Sequence, residues 1–226
     1  MTSLAPAIAT PPKADEPITD FRGYFAKSSV VVTDLPFATI ERVAELLYRA
    51  YETGRNVFLF GNGGSAALAS HFACDLAKGT ALPDRLAKRF RALSLADNQA
   101  LITAWANDAS YEQVFAEQLR TFVQPGDVAF GISGSGRSPN VLLALKEARA
   151  AGAVTVGLSG YEGGKMHEVC DVCVVVPSNN MQIIEDLHLA VTHALFTVVR
   201  ERIHKAAGTS VEGGPAKAMA AAAQSR

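Results

Sequence analysis

The stretch Val128-Ala-Phe-Gly-Ile-Ser-Gly-Ser-Gly-Arg-Ser-Pro-Asn140 contains a strand, a loop of small residues and a helix start in direct succession. Its first part is mostly apolar, as expected of a strand that is buried on both faces. Gly134 and Gly136 allow the chain to turn tightly and to approach a ligand closely. Ser138 and Pro139 are typical of a helix start, with serine as the N-cap and proline at the first helical position. The stretch therefore predicts the strand-loop-helix unit of a parallel α/β sheet.

The same unit recurs along the chain. The apolar run Asn56-Val-Phe-Leu-Phe-Gly61 predicts a second buried strand, and a helical pattern follows it from Ser65 to Lys78. Further strands are predicted at residues 91–96, 154–159 and 172–176, and further helices at residues 40–51, 98–105, 111–123, 138–151 and 180–205. Strands that alternate with helices form a parallel sheet with helices on both faces. The predicted fold class is α/β, a three-layer α/β/α sandwich with a five-stranded parallel sheet.

The chain is expected to form one domain between two tails. Its 226 residues, of which 49% are hydrophobic and 19% charged, suit a single globular domain. We place an N-terminal tail at residues 1–35, the domain with its leading helix at 36–205, and a mobile C-terminal tail at 206–226, because the chain ends are rich in Pro, Ala and Gly.

Composition excludes several classes of partner. The 21 basic and 22 acidic residues nearly cancel, so no overall basic field is available for a nucleic acid or an anionic membrane. No apolar run approaches the roughly 20 residues of a membrane-spanning helix. The N-terminus does not resemble a secretory signal, so a cytoplasmic location is expected. The three cysteines are too few for a four-thiolate zinc site, and we expect Cys170 and Cys173 to be structural rather than a redox pair.

The loop after residue 132 has the chemistry of a phosphate site. Ser133, Ser135 and Ser138 supply short hydroxyl donors. The free amides and the positive dipole end of the following helix attract an anion, and a phosphate dianion fits such a site. No lysine stands where a nucleotide-binding P-loop has one, so a nucleoside triphosphate is disfavoured. The alternative is a serine-rich turn that binds nothing.

A second glycine-rich loop, Phe60-Gly-Asn-Gly-Gly-Ser65, also follows a strand. Ligands of parallel sheets bind at the carboxyl ends of the strands, so the two loops are expected to face one site. The spacing differs from the G-x-G-x-x-G of dinucleotide-binding loops. On the helix that follows, His71 and Asp75 are four residues apart, which suits a shared metal or an acid and base pair. A surface His–Asp pair without function is the alternative.

With these loops, the motifs His71-Phe-Ala-x-Asp-Leu76, Trp105-Ala-Asn-Asp108 and Gly160-Tyr-Glu-Gly-Gly-Lys-Met166 make residues 36–205 resemble the sugar isomerase (SIS) family, close to the D-sedoheptulose 7-phosphate isomerases. The resemblance implies the flavodoxin-like form of the α/β fold. It also implies that the substrate phosphate binds at Ser133, Gly134, Ser135 and Ser138, and that the sugar contacts Asn62, Gly63, Gly64, Asn107, Asp108 and Glu185.

The resemblance further implies one zinc ion per site, held by His71, Asp75, Glu185 and His193. The family has glutamate and glutamine at the positions of Asp75 and Glu185. An aldose–ketose isomerase moves a proton between neighbouring carbons through an enediol, and it needs a base, an acid and an electrophile. Asp75 is the candidate base and His193 the candidate acid. The activity implied is conversion of D-sedoheptulose 7-phosphate to D-glycero-D-manno-heptose 7-phosphate.

Two rival functions stay open. One is a non-enzymatic SIS-fold protein, like the factor that associates with the bacterial replication initiator, which lacks the catalytic constellation. The presence of His71, Asp75 and His193 together argues against it. The other is an isomerase for a different sugar phosphate, which would use the same loops.

The last helix predicts an assembly. On a straight helix Glu185 and His193 lie about 12 Å apart along the axis and about 80° apart around it, so one ion can hardly bridge them. Either the helix begins after Glu185 or a neighbouring subunit completes the site. His188, between them, is expected to be structural. The helix has more apolar residues than one sheet face needs, namely Leu187, Leu189, Val191, Leu195, Phe196, Val198 and Val199. We therefore expect a homo-oligomer, and the resemblance implies a tetramer. The alternative is that the surplus packs under the leading helix of the same chain.

Overall fold

The structure is a computed structural model that describes residues 17–84 and 86–209. Its strands are β1 (Asn56–Gly61), β2 (Arg91–Ser94), β3 (Val128–Ser133), β4 (Val154–Gly160) and β5 (Val172–Val176). Its helices are α1 (Phe21–Thr33), α2 (Phe37–Thr53), α3 (Gly64–Cys74), α4 (Gln99–Asp108), α5 (Ala116–Phe122), α6 (Pro139–Ala150), α7 (Met166–Val169) and α8 (Met181–Ala206). A π-helical turn (Asp75–Gly79) continues α3, and a 3₁₀ turn (Tyr111–Gln113) precedes α5. None of the described helices is long and apolar enough to cross a bilayer.

The five strands form one parallel sheet in the order β2-β1-β3-β4-β5. The chain moves outward from β1 to β2, then returns to place β3 on the other side of β1, which makes the β1–β3 boundary the topological switch point. Gly61 of β1 pairs with Ile132 of β3, and Ser133 pairs with Ser159 of β4. The loops after β1 and β3 therefore leave the sheet side by side at its carboxyl edge. The prediction of a five-stranded parallel sheet is confirmed.

Helices cover both faces of the sheet and complete the three predicted layers. One face packs against α2, α3 and α8, in a core that includes Leu47, Phe72 and Val191. The other packs against α5 and α6, in a core that includes Leu119 and Leu145. The strands are buried from both sides because each face meets a layer of apolar helix residues, which explains their continuous hydrophobic runs.

Much of the apolar surface of α8 is buried within the chain. Leu187, Val191, Leu195 and Val199 are all buried, three of them in the core shared with α2. Leu189 and Val198 remain 40% and 38% exposed. The apolar surplus predicted for this helix is therefore smaller than its sequence indicates.

The predicted N-terminal tail at residues 1–35 was wrong in its later part, because α1 occupies Phe21–Thr33. Asp20 caps this helix by accepting a hydrogen bond from the Gly23 amide at 2.7 Å. Tyr24 then ties α1 to α8 by donating to Asp186 at 2.5 Å. None of its residues is fully buried, and only Tyr24 and Val31 among the described residues of α1 pack partly buried against the small core that contains Ile183. The parts of the predicted tails at residues 1–16 and 210–226 lie outside the described residues.

Candidate functional site

Two serine side chains in the loop after β3 are hydrogen-bonded to each other. The Ser133 and Ser138 hydroxyl oxygens lie 3.0 Å apart and share a hydrogen bond. Ser138 is the N-cap residue of α6 and Pro139 follows it, as predicted, but the Ser138 side chain makes no capping bond to the helix. The Ser135 hydroxyl accepts from the Arg137 amide at 3.3 Å. The hydroxyls of this loop thus gather at the start of α6.

Gly136 fixes this loop against the next one. Its φ is 63°, and a Cβ at this position would lie 2.1 Å from the Gly163 carbonyl oxygen, so only glycine fits. The Gly136 carbonyl accepts from the Lys165 amide at 2.9 Å, and the Gly134 carbonyl accepts from the Gly160 amide at 2.9 Å. The loop after β4 therefore supports the loop after β3 through backbone contacts.

The predicted sugar contacts fall into two places. Gly63 and Gly64 lie at the start of α3, where Gly63 is the N-cap residue. Asn107 and Asp108 end α4, are exposed, and bond to each other at 2.7 Å. In the described part of the chain, no hydrogen bond or ion pair joins this second pair to either glycine-rich loop. Asn62 bonds instead to residues that the sequence analysis did not single out.

His71, Asp75 and His193 meet on one side of α3. The two histidine Nε2 atoms are 2.9 Å apart, and the Asp75 carboxylate lies 3.4 Å from His71 Nε2 and 3.9 Å from His193 Nε2. All three side chains are partly open, with 51%, 23% and 49% of their surfaces exposed for His71, Asp75 and His193. The sequence placed these residues on two distant helices, and the fold brings them together.

Gly79 lets α8 come close enough to build this cluster. A Cβ at Gly79 would lie 2.6 Å from the Phe196 ring, which stands three residues after His193 on α8. The π turn that continues α3 begins at Asp75, which faces both histidines, and ends at Gly79. Single π turns of this kind occur often at functional sites.

The cluster fits a divalent cation. One ligand atom from each of His71, Asp75 and His193 lies within 4.8 Å of the others. Two nitrogens bound to zinc at about 2.0–2.1 Å in a tetrahedron are about 3.3 Å apart, close to the separation of the two Nε2 atoms. Two imidazoles and one carboxylate are also a donor set that zinc accepts, with a fourth position open to a small molecule.

Glu185 does not join the cluster within this chain. Helix α8 begins at Met181, so Glu185 lies in its second turn, and the explanation that the helix begins after Glu185 was wrong. Its carboxylate faces the start of α3 instead, where Oε1 lies 3.3 Å from the position of a Cβ on Gly64. Glu185 thus stands beside the predicted sugar loop rather than beside His193.

A groove of ≈ 380 Å³ runs between the start of α3 and the start of α8. Gly64, Ser65 and His71 line one side, and Glu185 and His188 line the other. This volume lies within the range of small-molecule sites. Because His71 belongs both to the groove and to the His–Asp–His cluster, a ligand in the groove could reach the cluster.

His188 is buried at the base of the groove, with 1% of its surface exposed. Neither ring nitrogen has a hydrogen-bond partner of good geometry. Burial lowers the pKa of His188 to about 4, and the nearby Ser159 main chain raises it only in part. The ring is therefore neutral at pH 7, and its burial agrees with the structural role predicted for it.

Sequence reasoning missed three residues that shape this site. Gly79 sets the distance between the two helices, while Asn140 and Tyr111 hold the side chain of Asn62. Asn140 is the last residue of the phosphate-loop motif, which was its only signal. Nothing local in the sequence indicates the other two, because their partners are distant along the chain.

Comparison with known proteins shows the family of the chain. Residues 22–160 match the family model described as SIS domain. A phosphoheptose isomerase of Trichlorobacter lovleyi is 36% identical over 191 residues, which cover 81% of this chain and 90% of that protein. One of Helicobacter hepaticus is 34% identical over 193 residues, covering 85% of this chain and 96% of that protein.

A solved structure, of the phosphoheptose isomerase from Neisseria gonorrhoeae, matches with a TM-score of 0.73 and 29% identity. The match covers 79% of this chain and 95% of that one. The fold and the loops at its carboxyl edge define the class as sugar isomerase domains. The chain belongs to the SIS domain family, in the branch that contains the phosphoheptose isomerases.

We predict that His188 makes the wild-type chain less stable at low pH, and that His188→Leu abolishes this effect. Folded His188 has a pKa of about 4, whereas an unfolded histidine titrates near 6.5, so the unfolded chain takes up the proton first as the pH falls. The contribution of His188 is thus full above pH 6.5 and is lost as the pH falls toward 4. Between pH 7 and pH 5 the wild-type chain should lose about 2 kcal/mol more than the variant, measured by urea unfolding.

The exposed His167→Leu is the matched control, and its pH dependence should follow the wild type. An equal loss of stability in the wild type and in His188→Leu would contradict the prediction.

Proposed function

We propose that this chain is a phosphoheptose isomerase that converts D-sedoheptulose 7-phosphate to D-glycero-D-manno-heptose 7-phosphate through an enediol. The observation that carries the proposal is the cluster of His71, Asp75 and His193, which opens beside a groove that starts at the glycine-rich loop. The curated relatives that bear this name support the same reaction.

The phosphate is proposed to bind on the loop after β3. Ser133, Ser135 and Ser138 offer hydroxyls there, and α6 directs its positive dipole end at the same point. Gly134 lets the backbone of this loop pack closely under Met181. The supporting loop after β4 holds this backbone in place. A bound phosphate would replace the hydrogen bond that the Ser133 and Ser138 hydroxyls share.

The sugar chain is proposed to extend from this loop into the groove. Gly63 and Gly64 would present backbone amides to its hydroxyls, and Glu185 would accept hydrogen bonds from the opposite wall. Asn107 and Asp108 are proposed to contact the sugar from the end of α4. Asn62 is proposed to support the loop at this end of the substrate.

Asp75 is proposed to remove the proton from C1 of the ketose. The C2 carbonyl oxygen takes a proton as the C1–C2 double bond forms, which gives a neutral enediol. A proton then returns to C2 while the O1 hydroxyl loses its own, and the aldose results. His193 Nε2 lies 3.9 Å from the Asp75 carboxylate. His193 is the proposed acid for these oxygens, and with an ion on Nε2 the proton would have to come from Nδ1.

Zinc is the proposed ion, with His71, Asp75 and His193 as its ligands in this chain. A divalent cation at that point would polarise the substrate carbonyl. Glu185 stands outside this group, so a ligand role for it would require the α8 helix of a neighbouring subunit. We keep Glu185 as a proposed sugar contact.

The first test is Asp75→Asn, which keeps the shape of the side chain and removes its basicity. We expect kcat for D-sedoheptulose 7-phosphate to fall by about 10²- to 10⁴-fold, while inhibition by inorganic phosphate changes little. Aldose formation measures the first quantity, and competition by phosphate measures the second.

Glu45→Gln is the control, because Glu45 is an exposed carboxylate on α2. Turnover of Asp75→Asn within a few fold of wild type would exclude Asp75 as the base. The same assay with other phosphorylated ketoses tests the rival substrate, since faster turnover of one of them would replace the heptose. Absence of turnover with every ketose would favour the non-enzymatic rival.

The second test concerns the metal. We expect one zinc ion per chain after equilibrium dialysis. We expect His193→Gln to bind zinc at least tenfold more weakly, because an amide oxygen replaces one of the two imidazole ligands. The exposed His167→Gln should bind zinc like the wild type. Equal zinc binding by His193→Gln and the wild type would contradict the assignment of the ligands.

The third test concerns assembly. We propose a homotetramer that works in the cytoplasm, where its three free cysteines would stay reduced. Helix α1 supports assembly, because Phe21 and Phe25 are 86% and 68% exposed and Phe37 beside it is 60% exposed. Light scattering at micromolar concentration should give four times the chain mass. A monomer mass with full isomerase activity would contradict the proposal.

A further inference from the structure

The side-chain amides of Asn62 and Asn140 form a reciprocal pair. Asn62 Nδ2 donates to Asn140 Oδ1 at 2.9 Å, and Asn140 Nδ2 donates to Asn62 Oδ1 at 2.8 Å. Asn62 belongs to the glycine-rich loop after β1, whereas Asn140 lies in the first turn of α6. The pair therefore connects the proposed sugar loop directly to the proposed phosphate site.

Asn140 is held rigidly in this position. Its surface is 2% exposed, and its Oδ1 also accepts from the Val141 amide at 3.0 Å. It follows Ser138, the N-cap residue, by two positions. The Asn140 side chain thus moves with the helix start that would hold the phosphate.

Tyr111 connects a third segment of the chain to this pair of amides. Its hydroxyl donates to Asn62 Oδ1 at 3.0 Å from the 3₁₀ turn that follows α4, three residues after Asp108. The Asn62 oxygen then accepts two hydrogen bonds, which fills its two lone-pair positions. The amide of Asn62 is engaged with protein on both its oxygen and its nitrogen.

We infer that Asn140 and Tyr111 are positioning residues, which hold the Asn62 amide and so set the spacing between the phosphate loop and the sugar loop. The inference rests on the proposed function, because it assigns the two ends of one substrate to these loops. In this role neither residue has to touch the substrate. Their effect passes through Asn62 to the backbone of Gly63 and Gly64.

The spacing matters because the substrate is held at both ends. A displacement of about 1 Å between a reacting group and its partner can cost 10²-fold in rate. Loss of the amide pair leaves the phosphate hydroxyls in place but frees the loop that would orient the reacting carbons. The expected signature is a fall in kcat with little change in phosphate affinity.

The test is a double-mutant cycle on kcat for D-sedoheptulose 7-phosphate. Tyr111→Phe removes one hydroxyl from a side chain that is 55% exposed, so folding should be unaffected, and we expect kcat to fall about 3- to 10-fold. Asn140→Ala should lower kcat about 10- to 100-fold. Inhibition by inorganic phosphate should stay within about threefold of wild type in both.

The cycle is closed with Asn62→Ala. If both residues act through Asn62, adding Tyr111→Phe or Asn140→Ala to Asn62→Ala lowers kcat by less than about twofold further. If the losses of kcat multiply in the double variants, the residues act independently and the inference is overturned. Single variants with wild-type kcat would overturn it as well.

In Asn140→Asp, kcat should depend on pH if residue 140 positions the Asn62 amide. A purely structural role would leave the kcat–pH profile like that of the wild type. At low pH the neutral carboxylic acid can donate to Asn62 Oδ1 and accept from Nδ2, which restores the reciprocal pair. Ionisation removes the donor, so kcat should fall at least tenfold as the pH rises through the pKa of the new group. Saturating substrate is used, because the new charge also repels phosphate and raises KM.

Asn98→Asp is the matched control. The Asn98 side chain caps α4 by accepting a hydrogen bond from the Leu101 amide at 3.1 Å. Because it acts only as an acceptor, an aspartate can take its place at every pH. Its kcat–pH profile should follow the wild type. An Asn140→Asp profile that also follows the wild type would overturn the inference.

Hydrogen exchange separates this inference from the proposed function. In Asn140→Asp, the amides of residues 62–65 should exchange faster than in the wild type at high pH and equally at low pH, whether or not the protein turns over substrate. Absence of wild-type turnover contradicts the proposed function alone. Equal exchange in variant and wild type at every pH contradicts the positioning role alone.

Discussion

The contact between Gly79 and Phe196 is the constraint on which the candidate site depends. It lets α8 approach the end of α3 so closely that a single added methyl carbon would meet the Phe196 ring. That approach brings His193 to 2.9 Å from His71. Without it, the histidine and the acid on α3 would be an ordinary surface pair, of modest energetic weight.

The sheet supplies the other end of the site. Because β1 and β3 are neighbours at the switch point, the loops after them leave the same edge, and each begins a helix there. The reciprocal amide pair then ties one loop to the other. The proposed phosphate loop and the His–Asp–His cluster thus lie on separate elements, and the groove that begins at the glycine-rich loop leads to the cluster.

The features that depend on neighbouring residues could be predicted from the sequence. Buried strands, small-residue loops and the helix start at Ser138 all follow from neighbouring residues, and the parallel arrangement of the strands follows from their alternation with helices. Features set by distant contacts could not be predicted in this way. Helix α1 has no buried stripe, the amide of Asn62 meets partners far along the chain, and Glu185 takes its place from the packing of α8 against α3.

The proposed function requires that the loop from Ser133 to Ser138 and the His–Asp–His cluster act on the same substrate molecule. A crystal structure of Asp75→Asn with D-sedoheptulose 7-phosphate tests it most directly, because this variant should bind the substrate and leave it unconverted. We predict the phosphate on the loop from Ser133 to Ser138, with C1 and C2 of the sugar within hydrogen-bonding reach of residue 75 and His193. A phosphate bound elsewhere, or a sugar whose first two carbons point away from the cluster, would contradict the account.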